Sequence, residues 1–150
     1  MKAVIQVAKN ASITVDDTLI SSMSYGLLVY FCVEKDDNEE KLIPFLDRIV
    51  KMRIFKDENE KMNLDVKDID GAVMLISQFT LAGDVYHGHR PGFDNAAPAK
   101  EASSVYKLAL DYLKKEGYKV CQGAFGEHMN VSYINDGPET FILDSQYMKF

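Results

Sequence analysis

Cysteine, cations and long apolar runs are all scarce in this chain. Its two cysteines, Cys32 and Cys121, stand far apart, each inside an apolar, strand-like stretch. Buried free thiols suit that setting better than a disulfide or a metal site. Lysine and arginine together number 17 against 23 carboxylates, a net charge of −6, so the molecule exerts no global pull on nucleic acid. Any such contact must be local. No apolar run approaches membrane-spanning length, and Met1 to Gln6 lack the apolar core of a secretion signal. A cytosolic soluble protein is expected. The familiar catalytic patterns are missing too: no Gly-x-Ser-x-Gly elbow, no evident Ser-His-Asp set and no cofactor motif. His87 and His89 are two apart in a loop-like stretch, which is not the helical spacing of a metal pair, and Glu127-His128 is no stronger. Neither a metal nor a cofactor is expected.

What is present supports a core. At 150 residues with 47% hydrophobic content, one domain spanning 1–150 is expected. The chain centres on Gly71 to Leu81. Ala72 to Ile76 is a continuous apolar run, which suits a strand buried on both faces. It then turns polar without charge at Ser77, Gln78 and Thr80. Buried polar groups need partners, so this strand end is either an internal hydrogen-bond network or a pocket with a ligand in it.

Other elements follow from pattern. Ala3 to Val7 is strand-like, and Ser12 to Val15 turns at Asp16-Asp17 into Leu19-Ile20. Gly26 to Val33 is a second buried strand. Asp36 or Asp37 is placed to cap a helix whose stripe is Leu42, Ile43, Leu46, Ile49 and Val50, with Pro44 bending it or delaying its start. Arg53 to Phe55 is extended, and Met62 to Leu64 is a short edge strand. A loop covers Ala82 to Ala97. Pro98 then suits the first turn of a helix with the stripe Ala102, Val105, Tyr106, Ala109, Tyr112 and Leu113, stopped by Gly117. Tyr118 to Phe125, Met129 to Ile134 and Thr140 to Leu143 are three further strands, with the Asn135-Asp136-Gly137-Pro138 turn between the last two. The order implies an α+β fold: a mostly β, barrel-like mixed sheet with two principal helices packed on it.

Ser77-Gln78-Phe79-Thr80-Leu81 and Asn135-Asp136-Gly137-Pro138-Glu139-Thr140 together resemble the paired signature motifs of D-aminoacyl-tRNA deacylases, also called D-tyrosyl-tRNA deacylases. The likeness runs nearly end to end through Ile5-Gln6, Gly26 to Val29, Val33 to Asp37, Arg53 to Phe55, Lys61 to Leu64 and Arg90-Pro91. The sequence departs from the family's usual pattern at Val7, where Arg is usual, at Glu139, where Val is usual, and at Gly92, where Ser is usual.

The resemblance implies hydrolysis of the ester that joins a D-amino acid, and by the same logic glycine, to the terminal ribose of tRNA. It implies catalysis largely by main chain, with the N–H groups near Phe79 and Thr80 facing the ester carbonyl, and with Ser77 and Gln78 holding the strand end and contacting the terminal adenosine. The Thr80 hydroxyl is either nucleophile or orienting group, and no base stands beside it in sequence. Gly137-Pro138 is implied to be a cis corner inserted into the pocket of a homodimeric partner. Two neighbouring carbonyls would there accept from the substrate ammonium and crowd the face of an L side chain. Phe125 and Met129 match pocket-lining positions. Glu139 is expected to be exposed or paired beside the corner. Lys51, Arg53, Lys56 and Arg90 are candidate phosphate contacts. Two other readings stay open: an interaction module on the same scaffold, and a hydrolase of other acylated RNAs.

Overall fold

The Asp16-Asp17 pair sets the first long-range geometry. In the computed structural model, which describes residues 1–150, both aspartates have positive φ, 47° and 62°. Two such residues make the tight turn whose twist suits a hairpin. The turn joins β1 (Lys2–Val15) to β2 (Thr18–Cys32), antiparallel along nearly their whole length. The short strand segments expected on either side of the turn are therefore single strands of 14 and 15 residues.

β5 (Ala72–Ser77) lies parallel to β2, and β6 (Lys119–Gln122) lies parallel to β5. β7 (Asn130–Asp144) runs antiparallel to β1 on the other side. The five-stranded order is β6-β5-β2-β1-β7, a mixed sheet whose two edge strands do not pair with each other. β3 (Phe55–Lys56) and β4 (Met62–Leu64) form a separate ribbon. The fold is α+β.

β5 is buried on both faces. Val73 and Leu75 join a 22-residue core with α1 (Glu39–Val50) and α2 (Ala99–Lys115), while Met74 and Ile76 join a 7-residue core on the opposite face. Burying each such side chain stabilises by roughly 1.5–3 kcal/mol before entropy is charged. β2 approaches β5 closely at Gly26, where a Cβ would run into the carbonyl of Ala72. That contact requires glycine.

Several expectations shift by a residue or two. Asn38, not Asp36 or Asp37, caps α1 through a 3.2 Å bond from Lys41 N–H. Asp37 is committed elsewhere, to the Glu34 N–H and the Met1 ammonium, and Asp36 has a φ of 68°. The helix passes through Pro44, which is exposed, so the carbonyl it leaves free faces water. Phe45 takes the core position and Ile43 is exposed. Pro98 sits at the cap of α2 rather than in its first turn. Gly117, with a φ of 81°, follows its end. β6 ends at Gln122, short of Phe125.

Candidate active site

β5 stops where its neighbour stops. Its last rung pairs Ser77 with Phe31, and Gln78 N–H then donates to the Phe31 carbonyl at 2.8 Å. With β2 ending at Cys32, no strand remains to pair with, and Phe79–Ala82 coil into a single 3-10 turn. The expected strand end is thus a strand-to-turn junction. Two consequences follow. The Thr80 hydroxyl donates to Gln78 Oε1 at 2.7 Å. The main-chain N–H groups of Phe79 and Thr80 donate to no acceptor within the chain, as the first N–H groups of a helical turn do not.

Beside this junction lies a cavity of about 680 Å³. Its wall is mostly apolar and includes Ser77, Gln78, Phe79, Phe125 and Met129. Tyr106 fixes three of its sides together. Its hydroxyl donates to the Leu75 carbonyl at 2.7 Å and accepts from Gly123 N–H at 3.2 Å, tying α2 to β5 and to the chain leaving β6. Burial pushes that hydroxyl up to about 12. Phe125 packs on the Tyr106 ring at 5.8 Å, and the Met129 sulfur accepts from Ala124 N–H at 3.3 Å. Phe79 packs edge-on against Phe93 at 5.1 Å. Cys32 also lines the cavity, but burial pushes its thiol up to about 11, which leaves almost no thiolate at neutral pH. Cys121 is half-buried, and like Cys32 it forms no disulfide.

The second motif is elsewhere. Neither Gly137 nor Pro138 lines the cavity of its own chain. The expected turn between two strands is an excursion inside one. Gln6 of β1 pairs with Thr140 and Ala8 pairs with Asn135, so residues 136–139 bulge from β7 while both flanks stay on β1. The Gly137–Pro138 bond is cis, Gly137 has a φ of 123°, and both residues are exposed.

Polar side chains hold this corner. Gln6 Nε2 donates to Asn135 Oδ1 at 3.2 Å and to Thr140 Oγ1 at 3.1 Å, while Gln6 Oε1 accepts from the Tyr133 hydroxyl at 2.7 Å. Asn135 Nδ2 donates to the carbonyls of Val7 (3.2 Å) and Glu139 (3.1 Å), bracketing the excursion. Thr140 Oγ1 stands 3.1 Å from the Pro138 carbonyl oxygen. Val7, where the resembled family has Arg, points into the main core. Glu139 is half-buried, with its carboxylate folded over Gly137 and no cation in ion-pair range. The nearby Lys9 is spent on Asp136 and Lys56 on Glu60. The expectation of an exposed or paired Glu139 is therefore met by neither alternative. The roles of Gln6, Tyr133 and Asn135 were missed from sequence. Their signal was only that uncharged polar residues recur on adjacent strands.

Of the four candidate phosphate contacts, Lys51 is paired with Asp47, Lys56 with Glu60, and Arg53 Nε donates to the Asn63 carbonyl. Arg90 is exposed and has no ion-pair partner in the chain. His87 Nδ1 lies 2.6 Å from Asp84 Oδ2. His89 is exposed. No helix is long and apolar enough to cross a membrane.

Comparison with known proteins follows the same residues. A D-aminoacyl-tRNA deacylase of Dictyoglomus turgidum is 46% identical over 149 residues, covering 99% of this chain and 96% of that protein. One from Thermotoga petrophila is 44% identical, covering 97% of each. A solved structure described as a c-Myc DNA unwinding element binding protein superposes with a TM-score of 0.90 at 34% identity, covering 96% of this chain and 98% of that one. A probable eukaryotic D-amino acid tRNA deacylase shares the fold, with a TM-score of 0.77 at 16% identity over 95% of this chain and 98% of its own. The family model for D-Tyr-tRNA(Tyr) deacylase matches residues 4–144, a span that contains both the cavity and the corner, and the chain belongs to that family.

Proposed function

We propose that this protein hydrolyses the ester of D-aminoacyl-tRNA, releasing the D-amino acid and tRNA, as a homodimer in which each chain completes the other's site. One observation carries the reading most: two main-chain donors have no acceptor in the chain, Phe79 N–H on a residue of the wall of a large apolar cavity and Thr80 N–H on the exposed residue that follows it. Donors placed where negative charge develops are what an acyl transfer needs most.

The chemistry requires little else. Water adds to the ester carbonyl, and its oxygen, now negative, accepts from those two N–H groups. The tetrahedral centre collapses, the ribose oxygen leaves, and the proton lost by the water is matched by the one the ribose oxygen gains. The neighbouring ribose hydroxyl is placed to relay it. Thr80 acts as an orienting group: its hydroxyl partner is the amide oxygen of Gln78, which is no base. Ser77 and Gln78 hold the terminal adenosine in the cavity, with Phe125 and Met129 in its wall.

Chirality is read by the Gly137-Pro138 corner of the second chain. What supports this is its exposure, its absence from its own chain's cavity and the Gln6–Asn135–Thr140 scaffold that fixes it. The Pro138 carbonyl keeps a lone pair for the substrate ammonium beyond its contact with Thr140. Main-chain oxygens crowd an L side chain and ignore what a D side chain is made of. Glycine, having no side chain, is hydrolysed too.

Duplex nucleic-acid binding is disfavoured by the net charge of −6 and by the local pairing of Lys51 and Lys56. The deciding assay is release of labelled amino acid from matched D-, L- and glycyl-tRNA. Release from D- and glycyl-tRNA with L-tRNA intact is expected. Equal release from D and L, or none from any, overturns the reading.

A further inference from the structure

We infer that the loop from Val85 to Gly92 docks the single-stranded 3′ end of the tRNA just inward of its terminal adenosine, with Tyr86 as a stacking platform and Arg90 as a phosphate partner. This rests on the function proposed above, because it extends the same site outward along the substrate.

The loop's two legs belong to the cavity wall. Phe79 and Phe93 meet edge-on across its base, Gly83 packs against the Phe93 ring, and Ala96 and Ala97 line the cavity. A nucleotide held in the cavity remains attached to a polynucleotide, and that strand must leave across the rim. Glu127 and His128 also line the cavity, and the Glu127 carboxylate opposes phosphate.

The loop is pinned at its neck by paired main-chain bonds between Asp84 and Gly92, at 2.7 and 2.9 Å. Asp84 also accepts from Tyr86 N–H at 2.9 Å and meets His87 Nδ1 at 2.6 Å. These contacts, the Tyr86 N–H first, hold the Asp84 carboxyl below the usual carboxylate range. A loop already ordered loses little entropy on binding.

From Val85 to Phe93 there is no carboxylate, in a chain with an excess of six. Tyr86 is 89% exposed, and Phe79 and Phe93 beside the base are 55% and 39% exposed. Arg90 is unpaired while Lys51, Arg53 and Lys56 are engaged locally. Aromatic faces that stack unpaired bases, together with a free guanidinium, are the equipment of single-strand recognition. A protein partner would use Val85 and Tyr86 equally well, but nothing would then tie that patch to the cavity mouth.

The test compares two substrates and two variants, Tyr86→Ala and Arg90→Ala. Both side chains are exposed, and thermal melting confirms that the fold is kept. On full D-aminoacyl-tRNA each variant is expected to lose about tenfold in kcat/KM, carried by KM. On a 3′-D-aminoacyl-adenosine, which lacks the upstream strand, both should equal the parent. Arg90→Ala should also reduce the salt slope of tRNA binding by about one phosphate's worth. Equal losses on both substrates would mean that the loop only shapes the cavity, and parental values on both would mean that it touches nothing. Either result overturns the proposal. Affinity for an uncharged hairpin with a single-stranded 3′ end gives a separate reading. Weaker binding by both variants supports the docking loop even where no ester is cleaved, and unchanged binding overturns it. A failed activity and a failed loop are therefore distinguishable.

Discussion

Phe79 offers a way to remove one main-chain donor without redesigning the backbone. It opens the 3-10 turn, and Gln78 before it is extended, with φ −146° and ψ 85°, a conformation that a following proline accepts. Phe79→Pro deletes the N–H and the ring, while Phe79→Ala deletes the ring alone. Turnover of D-aminoacyl-tRNA by Phe79→Pro should fall about 100-fold below Phe79→Ala, in kcat rather than KM, as loss of an oxyanion donor does. Equal rates for the two variants would remove this N–H from the chemistry. At this scale the sequence was legible only in part. Ser77, Gln78 and Thr80 stood out because uncharged polar groups ended an apolar strand. That the N–H groups are left without acceptors was implied by the resemblance alone, because it depends on where β2 ends and no pattern in the residues themselves shows that.

Among the elements, β7 carries the sharpest difference between pattern and structure. Two strands with a turn were expected, and one strand with a four-residue excursion is observed, because both flanks find partners on the same β1. Alternation could not show this, since it carries no information about which neighbour a strand pairs with. Asn135 makes the excursion possible by bridging the Val7 and Glu139 carbonyls. Asn135→Ala should cost about 1–2 kcal/mol in urea unfolding, the net worth of the lost bonds. Its kcat/KM on D-aminoacyl-tRNA should fall further than that loss of folded protein explains, because the corner loses its alignment. A variant as active per folded molecule as the parent would show that the corner needs no scaffold. By contrast, β5 and α2 were legible nearly residue by residue. Burial on two faces leaves an unbroken apolar run, and packing on one face leaves a 3.6-residue stripe. α1 misled at its start because Asp36 and Asp37 were expected to cap it while the adjoining Asn38 does so, tertiary contacts having claimed Asp37.

At the scale of the whole molecule, the cavity and the corner of one chain do not meet, so the account requires two chains. The residues of the paired motif point to one site, and only the family resemblance implies that its halves meet across a dimer. The direct test is to mix two silent variants. Phe79→Pro keeps the corner and spoils the donor. Gly137→Ala keeps the donor and spoils the corner, since a Cβ there meets the Glu139 carboxylate at a φ of 123°. Unfolded and refolded together in equal amounts, half of the dimers are mixed and each contains one intact site. The account predicts recovery of about a quarter of the parental D-aminoacyl-tRNA hydrolysis. Mixed dimers that form, by mass, yet hydrolyse no more than either variant alone would contradict it.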